Sequence, residues 1–243
     1  MNYRILAAVF VLLINVDALA EDDLAPILHK DPHRNELGFF DMHICNWADR
    51  PLFFKSLFST TKFNDIEVMT VYSPDGKKVT DLNMSKFMHL KRKGKPDKKV
   101  FLTDSDLPAD SKAGWYTIKV KTKDGKEYSA KDYVVMNRLS RASVLSPVDE
   151  AEDIEMPKEL KWKPVPGATH YKVFMRDGYE TTQILNSKLI KEPHIKLKPD
   201  LLKPGGYYLW KVHARDVNEN IILGDFNSGS VNKWMEFTVA DVE

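Results

Sequence analysis

The sequence predicts an all-β protein: two tandem β-sandwich domains behind a cleaved signal peptide. Three observations predict it. Short segments alternate apolar and polar residues with a period of two, as a strand with one buried face must. Turn signals built on Pro, Asp and Gly separate those segments. No heptad run, Ser/Gly linker or low-complexity tract interrupts the 243 residues.

The chain opens with Met1–Ala20, a signal peptide by its parts: Arg4 at the start, an almost unbroken apolar run from Ile5 to Val16, and small residues at Ala18 and Ala20. The run is too short for a membrane-spanning helix, which needs ~20 apolar residues. Residues 21–36 are polar, hold Pro26 and Pro32, and fit a flexible lead-in or a short edge segment.

The first sandwich is expected over residues 37–138. Phe39–Phe54 is dense in aromatics. As a strand it puts His43, Cys45 and Trp47 on one face and Met42 and Ile44 on the other. Trp47–Pro51 then forms a loop at the sandwich end. Ile66–Tyr72 alternates cleanly into a Ser73-Pro74-Asp75-Gly76 hairpin turn. Met84 and Met88, four residues apart, suggest an apolar stripe on one helical turn. Lys91–Lys99 forms a basic loop before a strand at Val100–Leu102, and Asp104 and Asp106 sit in a loop with Pro108. Gly114–Thr122 leads through an Asp124-Gly125 hairpin to a closing strand ending near Met136.

The boundary lies near Asn137–Ser143, and the second sandwich is expected over residues 142–243. Its strands begin at Leu145, Glu159, Tyr171 and His194. The clearest is Tyr208–Ala214, with Tyr208, Trp210, Val212 and Ala214 on one face and Leu209, Lys211, His213 and Arg215 on the other. Trp234–Val239 closes the domain with Phe237 and Val239 inward. Asn220–Asn232, with Gly224, Gly229 and two serines, suggests a long loop, and sandwich loops carry recognition.

Two segments of the second half carry a resemblance. Trp162-Lys163-Pro164-Val165-Pro166-Gly167-Ala168-Thr169-His170-Tyr171 resembles the second-to-third strand segment of bacterial fibronectin type III-like modules. Leu202-Lys203-Pro204-Gly205-Gly206-Tyr207-Tyr208 resembles the turn into their sixth strand. The resemblance implies that Tyr208 closes the corner by bonding back to the preceding turn. The first half resembles immunoglobulin-like modules only in general order. Such modules are spacers or binding units, so the resemblance speaks to fold more than function.

Composition narrows the function. With 36 basic and 35 acidic residues the net charge is +1, which argues against nucleic acid as a partner. The single cysteine, Cys45, allows no internal disulfide, so an exported chain points to a bacterial periplasm or surface. Cys45 lies too far from the cleavage site to carry a lipoprotein anchor. No nucleophile elbow, zinc-protease helix or phosphate loop is present, so no enzyme is expected.

Three candidate sites remain. Trp47 and Arg50, residue types favoured at hot spots, could contact a partner; equally, Trp47 could plug the core and Arg50 pair with Asp49 or a carbonyl. Lys91, Arg92, Lys93 and Lys95 could meet an anionic surface, or simply be solvated. Met42, His43 and Cys45, with Met88 and His89, offer soft ligands suited to copper, although their spacing matches no ligand motif and methionine is an ordinary core filler. The expectation is an exported, non-enzymatic binding or scaffold protein of the cell envelope that recognises a protein or glycan through sandwich-end loops. A periplasmic copper-binding protein is the alternative.

Overall fold

The computed structural model describes residues 31–91, 93–217 and 226–241. The signal peptide expected at 1–20 lies outside the described residues, as does the expected lead-in up to residue 30. Every regular element among the described residues is a strand, and no helix is long and apolar enough to cross a membrane.

The strands, in chain order, are β1 (Arg34–Asn35), β2 (Gly38–Trp47), β3 (Phe53–Thr60), β4 (Ile66–Tyr72), β5 (Lys78–Asp81), β6 (Phe87–Leu90), β7 (Lys98–Asp106), β8 (Gly114–Thr122) and β9 (Glu127–Val134) in the first half. The second half holds β10 (Val144–Ser146), β11 (Ala151–Ile154), β12 (Glu159–Trp162), β13 (His170–Asp177), β14 (Gln183–Asn186), β15 (His194–Lys196), β16 (Tyr207–Val217), β17 (Phe226–Val231) and β18 (Met235–Val239).

Each half buries its own core between facing sheets. In the first, Phe40, Met42 and Ile44 of β2, Phe54 and Phe58 of β3 and Phe101 of β7 pack against Met69, Val71, Tyr116, Ile118 and Val120 of the sheet β5-β4-β8-β9. In the second, Leu160 and Trp162 of the sheet β10-β12-β15 pack against Val173 and Met175 of β13, Trp210 and Val212 of β16, and Phe237 of β18. Period-two alternation alone sends these residues inward. Each large apolar side chain so buried contributes about 1.5–3 kcal/mol. Tyr208 closes its corner as expected: Lys203 N–H donates to its Oη at 2.7 Å.

The halves are not separate beads. Residues 135–143 connect them without strand structure, yet β17 pairs in parallel with β2, Ser228 opposite Ile44 and Val231 opposite Trp47. One 11-stranded sheet therefore runs β11-β18-β16-β17-β2-β3-β7-β6 through both halves, with β1 joined to β2, and β13, which carries β14, joined to β16. The described residues from Pro32 onward form one compact unit.

Several local expectations change. The part of Asn220–Asn232 from Phe226 onward is a fully buried strand rather than a loop; residues 220–225 lie outside the described residues. Its small polar residues satisfy the connecting backbone. Asn227 accepts from Val135 N–H at 2.6 Å and donates to Val135 O at 2.8 Å. Ser228 Oγ accepts from Leu139 N–H, and Ser230 Oγ donates to Ser140 O. Phe87–Leu90 is an edge strand rather than a helical turn, with Met88 exposed. Asp104 lies within β7 rather than a loop, and Asp106 ends that strand. Arg34–Asn35, in the described end of the lead-in, pairs with β2 as an edge strand.

Candidate functional site

Strand β16 supplies the floor of the site. Its inward residues are core, so alternation turns Lys211 and His213 to the opposite face. On the neighbouring β13, Tyr171, Val173 and Met175 are inward, which turns Lys172, Phe174 and Arg176 outward. Register places Phe174 directly opposite Lys211 and Lys172 opposite His213.

A bulge adds the next wall. Val231 pairs with His213 and Met235 with Trp210, so three residues, Asn232 to Trp234, face only Lys211 and Val212 on β16. Asn232 repairs the ladder: its N–H donates to Val212 O, and its Oδ1 accepts from Val212 N–H at 2.7 Å. The extra residue leaves Trp234 outside the core. Lys211 Nζ lies 4.2 Å and the Arg176 guanidinium 4.4 Å from its ring centre.

The β2–β17 pairing brings the last wall from the first half. Trp47, opposite Val231, stands edge-on to Phe53 at 5.1 Å and 88°. The result is a groove of about 570 Å³ whose lining includes Trp47, Phe174, Gln183, Lys211, Asn232 and Trp234. Trp47 Nε1 and Asn232 Nδ2 are sealed from solvent and have no acceptor among the described residues. Aromatic faces with a few polar side chains, here Gln183 and Lys211, are the composition of a ligand site.

Charge in the groove is uneven. Lys233 of the lining pairs with Asp149, while neither Lys211 of the lining nor Arg176, which stands at its edge over Trp234, has a carboxylate within 4.0 Å among the described residues. Asp49 is the one acidic residue of the lining. Burial and the neighbouring Arg176 lower the Lys211 ammonium pKa. His213 sits beneath, with burial and then Arg215 holding its pKa well below the usual value, so it is neutral at pH 7.

The residues singled out from sequence are scattered around this groove. Trp47 lines it. Arg50, three residues on, does not: it bonds Asp104 at 2.8 Å, rather than Asp49 or a carbonyl, and lies over Phe53 at 3.7 Å. Lys55 shares that carboxylate. The two cations outweigh the effect of burial and hold Asp104 below the ordinary carboxylate range. Lys91, Lys93 and Lys95 are exposed in the connection from β6 to β7; Arg92 lies outside the described residues. That connection flanks the edge strand beside the Gly38 end of β2, and Trp47 ends the same strand, ~30 Å away at ~3.3 Å per residue. The basic loop and the groove are therefore separate surfaces.

The soft-ligand set is not brought together. Met42 is sealed in the first core, on the face opposite His43 and Cys45. His43 Nδ1–H donates to Phe226 O at 2.6 Å, with Asp41 Oδ1 at 3.2 Å, and the ring stacks on Phe226 at 3.7 Å. Burial pushes the Cys45 thiol up to about 12. Met88 and His89 lie on β6, with β3 and β7 between them and β2, and His89 pairs with Asp97 at 3.1 Å. Among the described residues no three His, Cys, Asp or Glu side chains group as a metal site would require.

Phe174 and Trp234 were missed from sequence, although a signal was present. Both are aromatic and out of phase with the buried residues of their own segments, Val173 and Met175 in one, Phe237 and Val239 in the other. Aromatic side chains on the outer face of adjacent strands have no core to fill.

No protein-family model matches the chain, and no curated protein matches it. Among solved structures it is weakly similar to SGBP-B of the Bacteroides ovatus mixed-linkage glucan utilization locus, in complex with a mixed-linkage heptasaccharide. That match has 13% identity over 80% of this chain and 42% of that one, with a TM-score of 0.23. Dimeric latent PorU from Porphyromonas gingivalis matches at 12% identity over 81% and 19%, with a TM-score of 0.27. Dpr11 IG1 bound to DIP-gamma IG+IG2 matches at 10% identity over 84% and 99%, with a TM-score of 0.22. This chain spans under half the length of the first and about a fifth of the second. Likenesses this weak carry no argument about partner or chemistry.

Proposed function

We propose that this chain is an exported, non-enzymatic binding protein of a bacterial cell envelope, built from an immunoglobulin-like and a fibronectin type III-like sandwich, and that it holds a glycan in the Trp47–Trp234 groove. The observation that carries this reading is convergence: Trp47, Phe174 and Trp234, from three distant segments, line one groove. Apolar sugar faces lie against aromatic rings, while their hydroxyls seek polar side chains of the lining such as Gln183 and Lys211. The Tyr208 corner bond and the three-stranded sheet β10-β12-β15 support the fibronectin type III-like assignment of the second half. The protonated, buried Cys45 and the His43 ring tied to a backbone carbonyl support the non-enzymatic part.

Isothermal titration of the purified mature protein against a panel of envelope and plant-wall oligosaccharides tests this. At least one saccharide should bind, and Trp47→Ala and Trp234→Ala should each weaken it about 10-fold or more, with melting temperature showing the variants folded. Saccharide binding untouched by either variant, or none across the panel, would overturn the groove as the site.

A further inference from the structure

Resting on the glycan reading of the same groove, we infer that its ligand is an acidic saccharide, a chain of hexuronate units whose carboxylates meet Lys211 and Arg176. Two features of the groove lead there. Both cations lie against Trp234, at 4.2 Å and 4.4 Å from its ring centre. An aromatic ring positions a cation without neutralising it, whereas a carboxylate would do both. Second, no protein carboxylate lies within 4.0 Å of either among the described residues, while Lys233 nearby is already paired with Asp149. The two head groups are held in place by the ring, with Asp49 acting on Lys211 only at a distance and no carboxylate in direct contact with either.

The choice between neutral and acidic sugar follows from desolvation. A saccharide seated in the groove displaces water from Lys211 and, where it passes the edge at Trp234, from Arg176. A neutral one leaves two covered cations with only partial compensation, which is unfavourable. A uronate carboxylate supplies the missing counter-charge, and a planar guanidinium can receive it in bidentate fashion. Lys172, opposite His213 on the same face, extends the cationic track beyond the groove. Its pKa, like that of Lys211, is lowered by burial and a neighbouring arginine, and Asp49 offsets the effect at Lys211 only in part, so like charges crowd here. A ligand of several uronate units would relieve that crowding along its length.

The test titrates the full mature chain with tetragalacturonate, with a neutral galactotetraose of equal length, and with tetraglutamate. The proteins are wild type, Lys211→Gln, Arg176→Gln, and Lys91→Gln/Lys93→Gln as a distant charge control. The expected result is that tetragalacturonate binds at least about 10-fold tighter than galactotetraose. Each groove variant should lose that preference and the distant variant should keep it. Equal affinity for the two sugars would overturn the inference and leave the glycan reading standing. Binding of neither sugar in any protein would overturn the inference, and the glycan reading would fall with it only if the full panel also fails to bind. Tetraglutamate binding as well as tetragalacturonate would overturn the saccharide class in favour of a general anion site. Loss of preference in the distant variant would show bulk charge rather than the groove at work, and would also overturn it.

Discussion

His213 links a buried position to a behaviour in solution. Its Nδ1 accepts from Arg215, at 3.2 Å from Nη2, which fixes the neutral tautomer with the proton on Nε2. Burial first, then Arg215, depresses its folded pKa. A depressed pKa contributes stability that is present above the unfolded value of about 6.5 and is lost as pH falls through the folded value. The melting temperature of the wild type should therefore fall more steeply between pH 7 and 5 than that of His213→Gln. Asp41, raised mainly by burial, acts in the opposite sense, since its contribution is lost as pH rises through its folded pKa. The comparison between variant and wild type isolates the histidine, and parallel pH profiles would sink the assignment. Gly229 supports the same ring. An added Cβ would meet His213 Nε2 at 2.6 Å and Phe226 Cε2 at 2.7 Å. Overpacking of this kind costs about 1–3 kcal/mol, so Gly229→Ala should lower the unfolding free energy by that amount in urea titration.

At the scale of the element, two asparagines near β17 do similar work with different consequences. Asn232 spans the bulge and accepts from the N–H of fully buried Val212. Removing that acceptor leaves a donor stranded away from water, at about 1–3 kcal/mol. Asn227 makes a pair of part-buried bonds to the backbone of Val135, a residue that is 47% exposed, so water can replace them and the cost falls to about 0.5–1.5 kcal/mol. Asn232→Ala should thus destabilise more than Asn227→Ala, although it removes fewer side-chain bonds. Urea midpoints in the reverse order would show that the bulge tolerates an unpaired ladder group. Period two made most strands legible: Ile66–Tyr72 and Gly114–Thr122 coincide with β4 and β8, because each has one core face and one wet face. β17 has no wet face, and its Asn, Ser and Gly residues serve neighbouring backbone rather than a core, so its composition imitates a loop.

At the scale of the molecule, β17 belongs to both halves. It pairs antiparallel with β16 and parallel with β2, and Phe226 at its start lies between His43 of one half and His213 of the other. Separating the halves would expose this buried strand and break its bonds to residues 135–140. The protein should therefore unfold in one calorimetric transition, with calorimetric and van't Hoff enthalpies equal. Two resolved transitions would show that the shared strand couples the halves only weakly. The groove depends on the same join: Trp47 comes from the first half and Lys211, Phe174 and Trp234 from the second.

The sequence by itself determined the strand class, the inward faces, the corner at Tyr208 and the break between two cores, because each is set by neighbours a few residues apart. Even the outward phase of Lys211, Phe174 and Trp234 was implicit in that alternation. Only the tertiary structure decided that those side chains meet Trp47, that Arg50 turns away to Asp104, and that β3 and β7 hold Met88 and His89 apart from β2. Parallel pairing between strands more than 180 residues apart, as in the bond from His43 to Phe226, leaves no periodic trace in either segment. A site assembled across that pairing becomes visible only when the chain has closed on itself.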